Sequence, residues 1–242
     1  MTCSFSPIAQ GAFYATLPLV LASASPRRRE ALRLLGLEFE IIPPTEDAEP
    51  LPLTGENPAD YAYRAATAKA LTVANRLRQS TFETPTSTFN GANELHLRLR
   101  NGALTAQAPG PLVLGADTVV ALEGEILGKP QDKRHALDML LRLAGKSHEV
   151  FSACCCCLPD GTIRHAAGSA CVHFFPWPRN VLAAYADTDE VLDKAGAYSI
   201  QGSGAFLAQR IEGQVSAVVG LPLTQLVSLF LELEAIRARA AP

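Results

Sequence analysis

Leu19–Ala22, four apolar residues followed by Ser23-Ala24-Ser25, read as a short buried strand bounded by small polar residues. Ser25 is a good helix N-cap, and Pro26 stands at the first helical position, where proline is favoured. Ala31, Leu32 and Leu35 then form an apolar stripe that Gly36 closes as a C-cap. Asn57-Pro58 opens a second helix, with Asp60 in its first turn, running through Tyr61, Ala65, Ala68 and Leu71 to about Leu77. Leu112–Val120 is a buried strand leading into a hairpin around Glu123-Gly124, and Asp132–Ala144 is a helix with a glycine C-cap. Val150–Leu158 and Ile163–Phe174 are strands joined across Asp160-Gly161. After a helical stretch, Ala205–Ile211 and Gln214–Val219 are expected to pair across Glu212-Gly213. The last helix is expected from about Leu223 to Arg239. Helices mixed with several hairpins give an α/β class with a mixed sheet.

Between Ser80 and Pro111 the composition shifts to Ser, Thr, Asn, Gly and Pro. Leucines alternate with polar residues in "LHLRLRNGALTA" before Asn101-Gly102, a hairpin signal with little apolar surface around it. The segment reads as an insertion at about 80–111, within a domain spanning 19–242 behind an N-terminal extension of residues 1–18. Deletion of Phe82–Ala108 across a short bridge is expected to be tolerated.

Composition narrows the function classes. The chain has 242 residues, 48% of them hydrophobic and 19% charged, which is ordinary for a globular protein. No apolar run reaches membrane-span length. A net charge of −3 excludes a broad basic field for coating nucleic acid. Of six cysteines, four are consecutive, Cys154 to Cys157. Strand neighbours point to opposite faces, so these four cannot converge on one metal; they read as small buried hydrophobes in a reducing cytoplasm.

Three consecutive arginines, Arg27 to Arg29, fall in the first turn of the first helix. That end of the macrodipole favours anions, so cations there are costly unless an anion arrives. A strand, a small-residue turn and a helix N-terminus form an anion site, and added arginines look like a phosphate clamp. Asp117 in "GADTVV" sits within an apolar run, where an unpaired carboxylate costs several kcal/mol. It must meet hydrogen bonds, a cation or a metal. "GEILGKP" fails as a Walker loop, because its spacing is one residue short and Pro130 replaces the metal-binding hydroxyl. Lys129 still offers a point charge to a phosphate. "DKAGAYSIQGSGA" combines glycines for close backbone approach with Gln201, able to read a base edge or to sit in a ligand-free connection. "TEDAEP" gathers Glu46, Asp47 and Glu49, either a solvated turn or oxygen donors for Mg²⁺ or Mn²⁺.

These stretches together resemble the Maf family of nucleoside-triphosphate pyrophosphatases. The resemblance is carried by "LASASPRRREALRLLG", "GADTVVALEGEILGKPQD", "ALDMLLRLAGKSHEVFSA" and "DKAGAYSIQGSGAFLAQRIEGQVSAVVGLPL", in family order from Leu19 to Leu223. It implies a two-lobed mixed α/β fold with a nucleotide cleft, similar to inosine-triphosphate pyrophosphatases. It further implies cleavage between the α- and β-phosphates, a divalent metal, and a cytoplasmic protein that forms homodimers in many relatives. Asp117 matches the family's proton acceptor, and Arg28, Lys69 and Lys129 its basic site residues; Ser23 opens its Ser-x-Ser-Pro motif. Arg27, Thr118 and Gln201 match the three positions that mark a dTTP/UTP branch, as against a 7-methyl-GTP branch. The acidic motif is displaced: a gapless match gives Asp47, and one inserted residue gives Glu49, the preferred second carboxylate.

On this reading Arg28, Lys69, Lys129 and the backbone near Ser23–Arg27 bind phosphates. Asp117 and Glu49 hold the metal, and Arg27, Thr118 and Gln201 read the base. Successive helix residues diverge by about 100°, so one arginine, Arg29, is expected to point away. The alternatives are a modified-purine triphosphate substrate, or a nucleotide-binding septum or growth regulator with little hydrolysis.

Overall fold

The computed structural model describes residues 11–82 and 110–239. The expected insertion therefore lies almost wholly outside the described residues. The elements in chain order are β1 (Phe13–Ala15), β2 (Leu19–Ala22), α1 (Pro26–Leu34), β3 (Glu40–Ile41), α2 (Pro58–Phe82), β4 (Leu112–Leu122), β5 (Glu125–Leu127), α3 (Lys133–Leu143), β6 (Ser147–Cys157), β7 (Ile163–Phe174), α4 (Arg179–Ala186), β8 (Ala208–Gly213), α5 (Val215–Val219), α6 (Leu223–Glu232) and β9 (Ile236–Ala238). The main sheet runs β3-β2-β4-β6-β7-β8, with β5 added to β4. β2 is parallel to β3 and β4, and every other pair in this sheet is antiparallel. The class is mixed α/β, as expected.

Long strands β4 and β6 pass through three apolar clusters. One, around Leu21, Leu32, Leu114 and Phe230, holds β2, α1 and α6 against the first part of β4 and the last part of β6. The second, around Leu122, Leu140, Val172 and Leu182, joins β5, α3 and α4 to the end of β4 and the start of β6. Helix α2 covers the opposite face with a row of alanines, Ala62, Ala65, Ala66 and Ala70. Their small size lets α2 press close: a Cβ on Gly115 of β4 would lie 2.4 Å from the Ala66 carbonyl oxygen. The cysteine run alternates between faces, Cys154 and Cys156 in the first cluster and Cys155 and Cys157 in the third. All four are buried free thiols, and burial pushes Cys154 up to about 12 and Cys155 to about 11. They serve as small hydrophobes.

Two sequence expectations fail near the C-terminus. Gln214–Val219 is not a strand. Gly213, at φ +104°, ends β8, and Val215–Val219 turns into the short helix α5, closed by Gly220 at φ +128°. Its valines suggested a strand, but β8 already finds its partner in β7, so tertiary packing overrides the local preference. The last helix stops at Glu232, not Arg239. Glu234 takes a positive φ of 53°, and Ile236–Ala238 returns as a strand antiparallel to Phe13–Ala15. The signal for that strand is only three residues long.

His148 on β6 is buried against Phe174 and Tyr198, with its Nε2 2.7 Å from the Tyr198 hydroxyl. Burial, helped by the neighbouring His173, lowers it to about 4. Because the unfolded chain binds a proton that the folded chain refuses, stability falls as pH drops below about 6.5. Between pH 7 and pH 5 the loss from this group is about 2 kcal/mol. Denaturant titration at both pH values should show His148→Gln with a correspondingly smaller loss; an identical loss would remove His148 as its source.

Candidate active site

A gap in strand pairing creates the main cleft. Along one edge of β4, β2 pairs with Leu112–Gly115 and β5 with Val120–Leu122. Neither reaches Ala116–Val119. Beyond its last pair, β2 leaves the sheet at Ala22 and the chain turns into α1, as ligand crevices form outside the carboxyl ends of parallel strands. The cleft there has a volume of about 880 Å³ and is lined by the α1 N-terminus, Glu49, Lys69, Asp117, Lys129 and the segment ending at Gly220. That is the size of a small-molecule site.

On the α2 side, Lys69 projects from the helix that Gly115 lets approach. Its ammonium lies 2.5 Å from Asp117 Oδ1 and 3.0 Å from Glu49 Oε2. Lys129, in the loop after β5, reaches the same Glu49 oxygen at 3.3 Å. Asp117 is 6% exposed and Lys69 8%, so each is the other's compensation for lost water. Burial alone would raise the Glu49 carboxyl, but Lys69 and then Lys129, by charge and hydrogen bond, hold it below the ordinary value. Burial first, and then the Asp117 and Glu49 charges, push the Tyr61 hydroxyl up to about 12. Glu46–Ala48 forms one 3₁₀ turn that leaves Asp47 exposed and carries Glu49 to both lysines.

The arginine turn divides its work. Arg28 donates from Nε to the Gly220 carbonyl (3.0 Å) and from Nη1 to the Ala116 carbonyl (2.8 Å) and Ser23 Oγ (3.3 Å). Its Nη2 donates to Thr118 Oγ1 at 3.1 Å. Four of its five N–H groups thus tie α1 to the open edge of β4 and to the end of α5, leaving one for a ligand. Arg27 crosses the cleft: its Nη1 donates to Ser199 Oγ at 3.0 Å. Burial lowers the Arg27 guanidinium, against the opposing pull of Asp193. Arg29 does not line the cleft, although its Nε is buried. Ser25 makes no side-chain cap and the first turn of α1 has no acid, so its backbone N–H groups stand open to an anion.

Thr118 lines the cleft, whereas Gln201 does not: its side chain is exposed and only its backbone N–H takes part, donating to Ser199 Oγ at 3.1 Å. Asp117, Glu49, Lys69 and Lys129 are therefore brought together, with Arg27, Arg28, Ser23 and Thr118 around the same cleft. Gln201 stays at its margin.

The profile described as "Maf-like protein" matches residues 18–233. The chain belongs to the Maf-like family. Among its relatives is a protein of Oleidesulfovibrio alaskensis named "dTTP/UTP pyrophosphatase", 45% identical over 90% of this chain and 86% of the relative. Proteins of the same name from Nitratidesulfovibrio vulgaris (44% identity, 95% of this chain, 94% of the relative) and Lawsonia intracellularis (38%, 93% and 87%) are also similar. A solved Mycobacterium abscessus "Nucleoside-triphosphatase / dITP/XTP pyrophosphatase" aligns over 90% of this chain and 94% of its own, at 13% identity and TM-score 0.40.

Two residues of this Maf-like site escaped sequence reading. Ser199 receives Arg27, and Ser152, 1% exposed, bonds Thr118 across the strands. A lone serine before four cysteines signals nothing until the β4–β6 register sets Thr118 opposite Ser152.

The ion cluster makes an unequal pair of expectations. Lys69→Met strands Asp117 and should cost about 3 kcal/mol in denaturant unfolding. Asp117→Asn leaves Lys69 on Glu49 and should cost less than half of that. The double variant should regain part of the Lys69→Met loss. Equal costs for the single variants would contradict the compensation between them.

Proposed function

We propose that this protein hydrolyses nucleoside triphosphates, dTTP and UTP foremost, between the α- and β-phosphates to the nucleoside monophosphate and pyrophosphate, removing excess or non-standard nucleotides. The observation that carries the reading is the pair of carboxylates and pair of lysines meeting at the open edge of β4. It does so in a chain 44–45% identical to proteins named for that reaction.

A triphosphate carries roughly four negative charges, so most of the task is neutralisation and positioning. Lys129, whose side chain is 55% exposed, meets the phosphates from the β5 side, and the open N–H groups of α1 meet them from the other. Arg27 and the remaining Arg28 N–H complete the basic wall. Lys69 holds Asp117 in place at 2.5 Å, where it accepts the proton of the attacking water.

The donor chemistry fits a hard divalent cation, Mg²⁺ or Mn²⁺. Such ions bind through one or two carboxylates plus substrate phosphates and water. Among the described residues no group of three or more His, Cys, Asp or Glu is placed to hold a metal ion, and Asp117 and Glu49 are the two carboxylates assigned to the cation in this proposal. When bound, the cation supplies phosphate-charge neutralisation and a more acidic water. A cytoplasmic setting, where such nucleotides are pooled, belongs to the same proposal. Among the described residues no helix is long and apolar enough to cross a membrane.

Asp117→Asn should lower pyrophosphate release from dTTP and UTP by roughly 10²- to 10⁴-fold while nucleotide binding persists. The parent should release pyrophosphate, with magnesium present, faster from dTTP and UTP than from 7-methyl-GTP. Turnover of Asp117→Asn within a few-fold of the parent would remove Asp117 from the chemistry, and binding without hydrolysis by the parent would favour the regulator reading.

A further inference from the structure

Thr118 Oγ1 has three polar neighbours: Ser152 Oγ at 2.7 Å, Arg28 Nη2 at 3.1 Å and the Gly220 carbonyl oxygen at 3.5 Å. Ser152 Oγ in turn lies 2.7 Å from the Ala217 carbonyl oxygen. A carbonyl only accepts, so the single Ser152 proton goes to Ala217. With that proton committed, the 2.7 Å contact between the two hydroxyls is a hydrogen bond only if Thr118 is its donor. Donation to Gly220 is no rival, because that oxygen is at the distance limit and already accepts from Arg28 Nε at 3.0 Å. The Arg28 guanidinium, which only donates, takes one lone pair of Thr118 Oγ1. One lone pair is left, on a residue that lines the cleft.

We infer that Ser152 is a positioning residue which, through Thr118, fixes the polarity of base recognition: Thr118 faces its ligand as an acceptor only, and selects a base with a ring N–H donor. Thymine and uracil carry that donor at N3; cytosine has a bare acceptor there. A threonine free to rotate would serve both, since a hydroxyl both donates and accepts. The relay Arg28–Thr118–Ser152–Ala217 removes that freedom. The acceptor can donate nothing to N3 of cytosine, and two lone pairs then face each other. This inference rests on the pyrophosphatase reading and on Thr118 facing the base.

Ser152 itself is buried and does not line the cleft. The test is kcat/KM for UTP and CTP with the parent, Ser152→Ala, Ser152→Thr and Thr118→Val. The parent should prefer UTP. Ser152→Ala should lower the UTP:CTP ratio about tenfold, expressed in KM, with kcat for UTP within about threefold of the parent. Ser152→Thr, which keeps the hydroxyl, should hold the parent ratio, and Thr118→Val should lose the preference as Ser152→Ala does. An unchanged ratio in folded Ser152→Ala overturns the inference. Equal losses on both substrates also overturn it, placing the Thr118 acceptor on a ribose hydroxyl common to both. Should Ser152→Ala not fold, an unchanged ratio in Thr118→Val is equally decisive. A parent that hydrolyses neither nucleotide overturns the pyrophosphatase reading, and this inference with it.

Discussion

One buried ammonium organises the site. Lys69 can sit at 8% exposure only because Asp117 and Glu49 accept its charge, and Asp117 can sit inside β4 only because Lys69 is there. Breaking such a pair costs far more than forming it gains, so it fixes geometry more than it adds stability. The fold is arranged to deliver it. A row of alanines on α2 and a glycine on β4 bring helix and strand into backbone contact beside the cluster. Any larger residue at Gly115 would lift Lys69 away from its partners.

The second constraint is the unpaired edge of β4. Unsatisfied carbonyls at a sheet edge must find donors. Here the Ala116 carbonyl takes Arg28, and Arg28 carries α1, the start of β2's connection and the end of α5 to the same point. The interruption thus opens a cleft and collects its walls. Arg27 adds a bond across it to Ser199, so opposite sides of the cleft are in polar contact before any ligand arrives. On the proposed reading, phosphate chemistry falls on the α2 face of β4, at Asp117, where Lys69 meets it. Thr118, the next residue, points to the other face, where Arg28 and Ser152 hold it. Strand alternation separates the two tasks by a single position.

Much of this was legible in the chain. The strand–turn–helix from Leu19 to Gly36, the buried carboxylate at 117 and the helix capped by Asp132, which accepts from the His135 N–H, follow from local chemistry. What stayed hidden depended on register or on distant partners. The displaced acidic motif left Asp47 and Glu49 open, and one 3₁₀ turn decides which side chain faces Lys69. Arg28 reads as a phosphate ligand from sequence, yet its spacing cannot reveal that Gly220, 192 residues away, supplies an acceptor. Gln201 stands in the family position, but the backbone of its loop turns its side chain outward. The valines of α5 and the last three-residue strand follow tertiary pairing and not local preference.

In the proposed reaction the Lys69-centred cluster directs water to the linkage between the α- and β-phosphates. The most direct measurement is the product pair from UTP in the first turnovers, separated and weighed by mass spectrometry in ¹⁸O-labelled water. UMP and pyrophosphate in equal amounts, one of them carrying a single ¹⁸O and with no UDP formed, is the predicted result. UDP with inorganic phosphate would place the attack at the γ-phosphate and rule out cleavage between the α- and β-phosphates.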